Sequence, residues 1–359
     1  MKITGVKITQ LEWQRMPYHW RDGILPGGPT ARGGLLEIFT DTGITGYSTC
    51  GGMNLDEVKY QILGQDPLNI ERIWQGFWRN LRTSNLGFAI GPVDCALWDI
   101  AGKAASLPVY RLLGGMRDAI PAYASTLTLD SIEEYLSLAD RCLAKGYKAI
   151  KLHAWGRLDQ DAALCKALRQ HVGADITLMY DTSSMFNMYE DALWFGRRLE
   201  EQNYYWYEEP MDHFNLTVLA RLAAELDIPL AVAEATHGGP FDALSHIRAG
   251  AGDIILTGPL DAFKGGITGV MKTAHICEAF GVLCAIHGSA IAHLHTACAI
   301  YNSRFFECIV PEGHFGIPGI HEAAKEIHPD GTARPWDKPG LGYEIDWEWV
   351  KGHTVGIIE

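Results

Sequence analysis

Residues 176–210 read ITLMYDTSSMFNMYEDALWFGRRLEEQNYYWYEEP. The two ends, ITLMYDT (176–182) and YYWYEEP (204–210), are short apolar runs of strand length, and each finishes on carboxylates. The stretch between them is long enough for a helix to carry the chain back, as a parallel connection requires. One such unit decides little, but its recurrence decides the fold. AIPAYAST (119–126), KAIKLHA (148–154), PLAVAEA (229–235), DIILTGP (253–259), VLCAIHG (282–288) and FFECIV (305–310) repeat the pattern at near-regular spacing. The gaps carry helical periodicity, as at Leu164, Ala167 and Leu168, and stop signals such as Pro229 and Gly281. Eight strand–helix alternations predict an α/β chain built on a closed parallel barrel of the (β/α)8 type. An open doubly wound sheet has fewer strands and a glycine-rich first turn, and no G-x-G-x-x-G follows any run here.

Outside the eight runs the texture changes. Residues 2–13 and 33–40 alternate like antiparallel strands, with a turn at Asp41-Thr42-Gly43 leading to a third. A helical block spans 55–113 and stops at Gly114-Gly115. This reading gives an α+β domain over 1–118, a barrel over 119–318 and a polar, proline-rich segment over 319–359. That last segment is expected to pack back on the first domain, ending in a strand-like stretch at 341–346.

Composition narrows the function classes. The 359 residues carry a formal charge of −13, which disfavours nucleic acid as a partner. No apolar run has the length a membrane span needs, and the N-terminus lacks the apolar core and cleavage site of a signal peptide. The eight cysteines form no C-x-x-C pair and mostly sit in apolar runs, which reads as buried reduced thiols in a cytoplasmic protein.

Charged groups collect where a parallel barrel does its chemistry, at the C-terminal ends of the strands. The second run ends Lys151-Leu152-His153, and period two puts both basic side chains on one face. The next three end in Asp181, Glu208-Glu209 and Glu234; Asp261 and Lys264 follow the sixth, His287 ends the seventh, and the eighth contains Glu307. Taken singly, an acid at a strand end is a helix cap, and a lone histidine a hydrogen-bonded core residue. Together, three carboxylates on consecutive strands cannot all ionise without a cation, and an oxygen-only set favours Mg2+ over Zn2+. Bases from the second and seventh runs flank that position, so a C–H bond α to a bound carboxylate is reachable from either face. Asp261 is placed to orient His287, and a Glu307 of raised pKa to donate to the developing enediolate oxygen.

The ordered set resembles the enolase superfamily, specifically its mandelate racemase-like subgroup, over nearly the whole chain. It comprises Val93-Asp94-Cys95-Ala96-Leu97-Trp98-Asp99 with Gly102-Lys103 and Leu113-Gly114-Gly115, then Lys151-x-His153, Asp181 and Trp206-Tyr207-Glu208-Glu209-Pro210. Ala233-Glu234, Asp261-Ala262-Phe263-Lys264-Gly265-Gly266-Ile267-Thr268-Gly269, His287 and Phe306-Glu307 complete it. The resemblance implies a modified (β/α)7β barrel with a capping domain made from both termini, and a homo-oligomer, from dimer to octamer. It also implies Asp181, Glu208 and Glu234 as Mg2+ ligands and Asp261–His287 as the base dyad. Glu307 becomes the electrophilic acid, and Lys151 the contact to the substrate carboxylate; Glu209 is not implied as a ligand. The family's racemases carry a second lysine where this chain has His153.

The implied activity is that of a Mg2+-dependent aldonate or aldarate dehydratase. It abstracts the α-proton, passes through a metal-stabilised enediolate and expels the β-hydroxyl to give a 2-keto-3-deoxy acid. His287 is the expected base and His153 its rival; racemisation or epimerisation of a 2-hydroxy acid on the same site is the alternative. Substrate contacts are expected from the lid-like loop 14–33, through Arg15, Tyr18, His19, Trp20 and Arg21, and from Trp155 past the second run. His293-Leu294-His295 raises a zinc hydrolase, but those histidines fall on a helix and the first strand ends without H-x-H. A non-catalytic barrel is disfavoured because no member of the acid triad or of the Asp–His pair is missing.

Overall fold

The computed structural model describes residues 1–81 and 83–359. The chain opens with three antiparallel strands, β1 (Ile3–Gln14), β2 (Thr30–Thr40) and β3 (Thr45–Cys50), the last two joined by the expected turn. Helices α1 (Leu55–Ile62), α2 (Ile70–Asn80), α3 (Ile90–Ala105) and α4 (Val109–Leu112) follow. Alternation along β1 and β2 sends Val6, Ile8, Leu36 and Ile38 to one face, where they pack with Val58, Trp74, Phe77, Val93 and Leu97 from the helices.

All eight runs form strands: β4 (Ile120–Thr126), β5 (Ala149–His153), β6 (Thr177–Asp181), β7 (Trp206–Glu208), β8 (Leu230–Val232), β9 (Ile254–Thr257), β10 (Leu283–Ile286) and β11 (Phe306–Val310). Each pairs in parallel with the next, and β11 pairs with β4, so the sheet closes. Seven helices make the crossovers: α5 (Ile132–Ala144), α6 (Leu158–Val172), α7 (Tyr189–Glu201), α8 (Leu216–Glu225), α9 (Pro240–Ala249), α10 (Gly266–Ala279) and α11 (Ile291–Ala299). Where an eighth crossover helix would follow β11 the chain forms a short 3-10 turn, Ala323–Lys325, so the barrel is (β/α)7β rather than the full eightfold repeat.

The period-two rule positions the chemistry. Tyr123, Ala149, Met179, Trp206, Ala231, Ile254 and Leu256 point inward and plug the barrel floor. Two residues further along, the same face carries Lys151, Asp181 and Glu208. The charged layer therefore rests on a dry apolar one.

The tail departs from the sequence reading. The strand-like stretch at 341–346 yields only β14 (Glu344–Ile345), which pairs with β12 (Ile320–His321) rather than with the capping sheet; between them β13 (Thr332–Ala333) runs antiparallel to β4. Helix α12 (Trp347–Gly352) then delivers β15 (Thr354–Ile358) to the edge of β1, completing a β15-β1-β2-β3 sheet. Terminal β-branched residues at 354–358 gave no turn-bounded pattern to read; only the partner β1 makes them a strand.

Two buried acids on α3 tie the cap to the barrel and to the C-terminal segment. Asp94 accepts from the Thr268 amide (2.9 Å) and hydroxyl (2.6 Å) at the first turn of α10. The approach is close enough that a Cβ on Gly266, at φ +70°, would lie 2.4 Å from the Asp94 Cβ. Asp99 accepts from the amides of Tyr47 and Leu341 and from Lys103 Nζ.

His295 on α11 ties this joint from the other side and makes it acid-sensitive. Its Nδ1 accepts from the Tyr110 amide (3.0 Å) and its Nε2–H donates to Leu341 O (3.2 Å), so the neutral ring is specified at both nitrogens. Burial pushes its pKa down to about 4 from an ordinary 6.5. Below pH 6.5 the unfolded chain binds a proton that the native ring refuses. This stabilisation is complete above pH 6.5 and is lost as pH falls toward 4, about 3 kcal/mol in all. Urea unfolding at pH 7 and pH 4.5 is expected to show a correspondingly smaller acid loss in a His295→Gln variant than in the native chain.

Candidate active site

Asp181, Glu208 and Glu234, from the ends of three consecutive strands, each offer a carboxylate oxygen, and all three oxygens lie within 4.8 Å of one another. Lys151 Nζ reaches Glu208 Oε1 (2.8 Å), Glu307 Oε1 (3.0 Å) and Asp181 Oδ2 (3.5 Å) from a fully buried position above the Tyr123 ring. The Trp206 indole donates to the other Glu208 oxygen (2.9 Å). Burial and then the neighbouring acids Asp181, Glu234 and Glu307 push Glu208 well above the usual carboxylate range, even against Lys151. Glu234 is also raised, first by burial. Burial opposes ionisation of Asp181 too, yet His153 and Lys151 hold it far below that range. Three acids held this close, with one lysine to neutralise them, form a set whose charge is balanced by a hard divalent cation. The donors are oxygen only, so the residues fit Mg2+.

His287 stands on the β10 side of the cluster. Its Nδ1 meets Asp261 Oδ2 at 3.0 Å and its Nε2 faces Glu234 Oε1 at 3.3 Å. Burial pulls this imidazole down, but Glu234, Asp261 and Glu307 outweigh it and hold the ring well above its ordinary value. Glu307 corrects the sequence reading. A carboxyl of raised pKa is expected there, and the direction is the opposite. Although burial pushes it up, Lys151, His287 and the Gly288 amide, 2.8 Å from Oε2, hold it well below the usual range. The sequence does not reveal that Lys151 bridges Glu208 and Glu307 across the barrel.

His153 stands on the opposite flank. Its Nδ1 lies 2.7 Å from Thr126 O, its Nε2 lies 2.8 Å from Asp181 Oδ2, and the Trp20 ring covers it at 4.7 Å between centroids. Trp20 thus comes down from the loop between β1 and β2 onto the cluster. Tyr18 packs edge-on to Trp20 and tilts over Phe315 (4.6 Å). Arg15 lies over the Tyr18 ring and donates to Gly28 O, lining a cavity of about 440 Å3 between the capping sheet and the loops at the barrel mouth. His19 is half-exposed and faces Asp130 at 3.7 Å, not a member of the carboxylate cluster. Trp155 donates to Leu129 O (2.6 Å) and packs edge-on to Tyr135 on α5, among the residues between the strands and the helices. The lid is pinned by Arg21, whose guanidinium donates to Thr182 O (2.9 Å) and Ser183 O (2.7 Å) just past Asp181.

Some contributors were not legible in the sequence. His314 and Phe315 supply the barrel-side half of the lid contact, with His314 Nδ1 3.1 Å from Met16 O. Their signal was a histidine and an aromatic bracketed by Gly313 and Gly316 soon after Glu307. Left-handed backbone at Ser183 (+48°), Ser184 (+56°), Glu209 (+42°) and Ala233 (+78°) clusters immediately after the ligand strands, where stored strain is characteristic of working sites.

Residues 134–349 match the "Enolase C-terminal domain-like" family model and residues 3–114 the "Mandelate racemase / muconate lactonizing enzyme, N-terminal domain" model. The chain belongs to the enolase superfamily, in its mandelate racemase-like branch, and is an enzyme of that group. It is 31% identical over 331 residues to arabinonate dehydratase of Saccharolobus solfataricus, spanning 86% of this chain and 87% of that one. It is 32% identical over 302 residues to 3,6-anhydro-alpha-L-galactonate cycloisomerase of Streptomyces coelicolor, covering 82% and 81%. The solved structure of D-glucarate dehydratase from Agrobacterium tumefaciens complexed with magnesium superposes with a TM-score of 0.91. The identity is 33%, over 99% of this chain and all of the other.

Proposed function

We propose that this chain is a Mg2+-dependent dehydratase of a small acid sugar, an aldonate or an aldarate. Asp181, Glu208 and Glu234 would hold the cation, which when bound polarises the substrate carboxylate and so acidifies its α-proton. The observation that carries dehydration over two-base racemisation is the inequality of the two histidines. The His153 ring is covered by Trp20, and its side chain is 10% exposed. His287 is 29% exposed, and its Nε2 points into the cluster.

The roles then follow from placement. Lys151 meets the negative charge that spreads onto the carboxylate oxygens as the α-proton leaves. His287 takes that proton on Nε2, with Asp261 fixing the ring orientation through Nδ1. The imidazolium so formed, held by Asp261 at Nδ1, is placed to pass its proton to the departing β-hydroxyl. Water leaves, and the enol takes a proton at C3 to become the 2-keto-3-deoxy acid. The lid aromatics Tyr18 and Trp20, packed on Phe315 from the barrel side, exclude bulk water during these steps. Relatives named as arabinonate and D-glucarate dehydratases support this substrate class.

The test is a panel of aldonic and aldaric acids incubated with the enzyme and Mg2+, with 2-keto acid trapped as its semicarbazone. Formation of the 2-keto product from at least one acid, abolished by a chelator, is the expected result. Inversion at C2 with no 2-keto product would replace dehydration with racemisation and return His153 to the role of second base.

A further inference from the structure

Glu234 stands where the alternation of its strand does not put it. On β8, Ala231 faces the barrel interior and Val232 the surrounding helices. Regular continuation would turn Ala233 inward and Glu234 outward, away from Asp181 and Glu208. Instead Ala233 adopts φ +78° and lies with Val232 in the outer core, and Glu234 swings into the carboxylate cluster. A non-glycine residue in this conformation is strained and needs surroundings that enforce it.

Those surroundings are two buried charged side chains that the mechanism above does not use. The peptide unit joining Ala233 to Glu234 is held at both poles. Its carbonyl accepts from Lys264 Nζ (2.5 Å), and its amide donates to Glu209 Oε1 (3.2 Å). Thr236 Oγ1 closes the ring of contacts, accepting from Lys264 Nζ (2.8 Å) and donating to Ala233 O (3.1 Å). Lys264 is 2% exposed and Glu209 is 4% exposed. We infer that Glu209 and Lys264 are positioning residues, a clamp on the Ala233–Glu234 peptide that turns Glu234 into the cation site. This rests on the cation-dependent reading of the site.

The clamp makes a prediction opposite in sign to simple electrostatics. Removing a buried lysine next to the Glu234 peptide should strengthen cation binding if charge alone matters. The clamp requires Lys264→Met to weaken it, by about 10–100-fold, the range usual for groups that orient metal ligands. Calorimetric titration with Mg2+ alone, on the full chain, reads this directly. Adding Ala233→Gly to Lys264→Met should restore most of the affinity, because glycine takes φ +78° without enforcement. Glu209→Leu provides a second route should Lys264→Met fail to fold, with the same expected loss. Asp99→Asn, which breaks a buried ion pair far from the cluster, should lower thermal stability and leave Mg2+ affinity unchanged. Unchanged or tighter Mg2+ binding in folded Lys264→Met or Glu209→Leu, or no rescue by Ala233→Gly, would overturn the clamp while the site stands. A native chain that does not bind Mg2+ at all would overturn the cation reading, and the clamp with it.

Discussion

Replacing His287 with asparagine is expected to lower turnover by ~10²–10⁴-fold while leaving Mg2+ affinity undiminished. The first half follows from placement: Nδ1 is fixed by Asp261 and Nε2 faces the carboxylate cluster. Asparagine preserves a polar contact to Asp261 but has no nitrogen that accepts and returns a proton. The second half follows from the ligand set. His287 is not among the three carboxylates that would hold the cation, and the neutral ring that takes the proton brings no charge to it. Its removal therefore does not weaken Mg2+. Steady-state rates and Mg2+ titrations on the same preparation separate the two effects. Equal loss in both would make His287 part of the binding site rather than the base.

Glu208→Gln is expected to act the other way round, abolishing the response to Mg2+ with little effect on the metal-free fold. Glu208 is fully buried among three other acids and is held well above the usual carboxylate range. Glutamine keeps an acceptor for the Trp206 indole and removes one acid from a crowded set, while Lys151 loses one of its three carboxylate partners. The native chain should gain about 2.7 kcal/mol at a Mg2+ concentration 100 times Kd. For 359 residues, at about 2.1 cal/mol/K of unfolding entropy per residue, that is roughly 3–4 °C in Tm. In Glu208→Gln that gap should collapse and Mg2+ affinity should fall by more than ~100-fold, beyond what disturbing an orienting neighbour does. A variant that still shows the full Mg2+-dependent rise in Tm would remove Glu208 from the ligand set.

How far the sequence could be read depended on whether a residue's role is local. The barrel was legible because each strand announces itself through a run of apolar residues, and a parallel sheet buries both faces. The candidate ligands were legible because charges at strand ends are anomalous. Period two correctly places Lys151 with His153, and Asp181 and Glu208 above Met179 and Trp206. The same rule fails at Glu234, since only the left-handed Ala233 brings that carboxylate inward. Glu307 illustrates a second limit. Its ionisation is set by Lys151, which arrives from the other side of the closing seam, and no local pattern encodes that meeting. The lid was visible as a loop, but Trp20 on His153 and Tyr18 on Phe315 are contacts between segments far apart in the chain. β15 was missed for the same reason, because its strand character comes from pairing with β1.

The central claim, that His287 removes a proton α to a carboxylate and water then leaves, is tested most directly by proton NMR in D2O. The native enzyme is incubated with Mg2+ and an acid that it consumes. The account predicts loss of the C2 proton signal together with appearance of a 2-keto-3-deoxy product bearing a single deuteron at C3. In His287→Asn neither change should occur at a comparable rate. Exchange at C2 with the hydroxyl retained, persisting in His287→Asn and lost in His153→Asn, would contradict the account and assign the chemistry to the opposite face of the site.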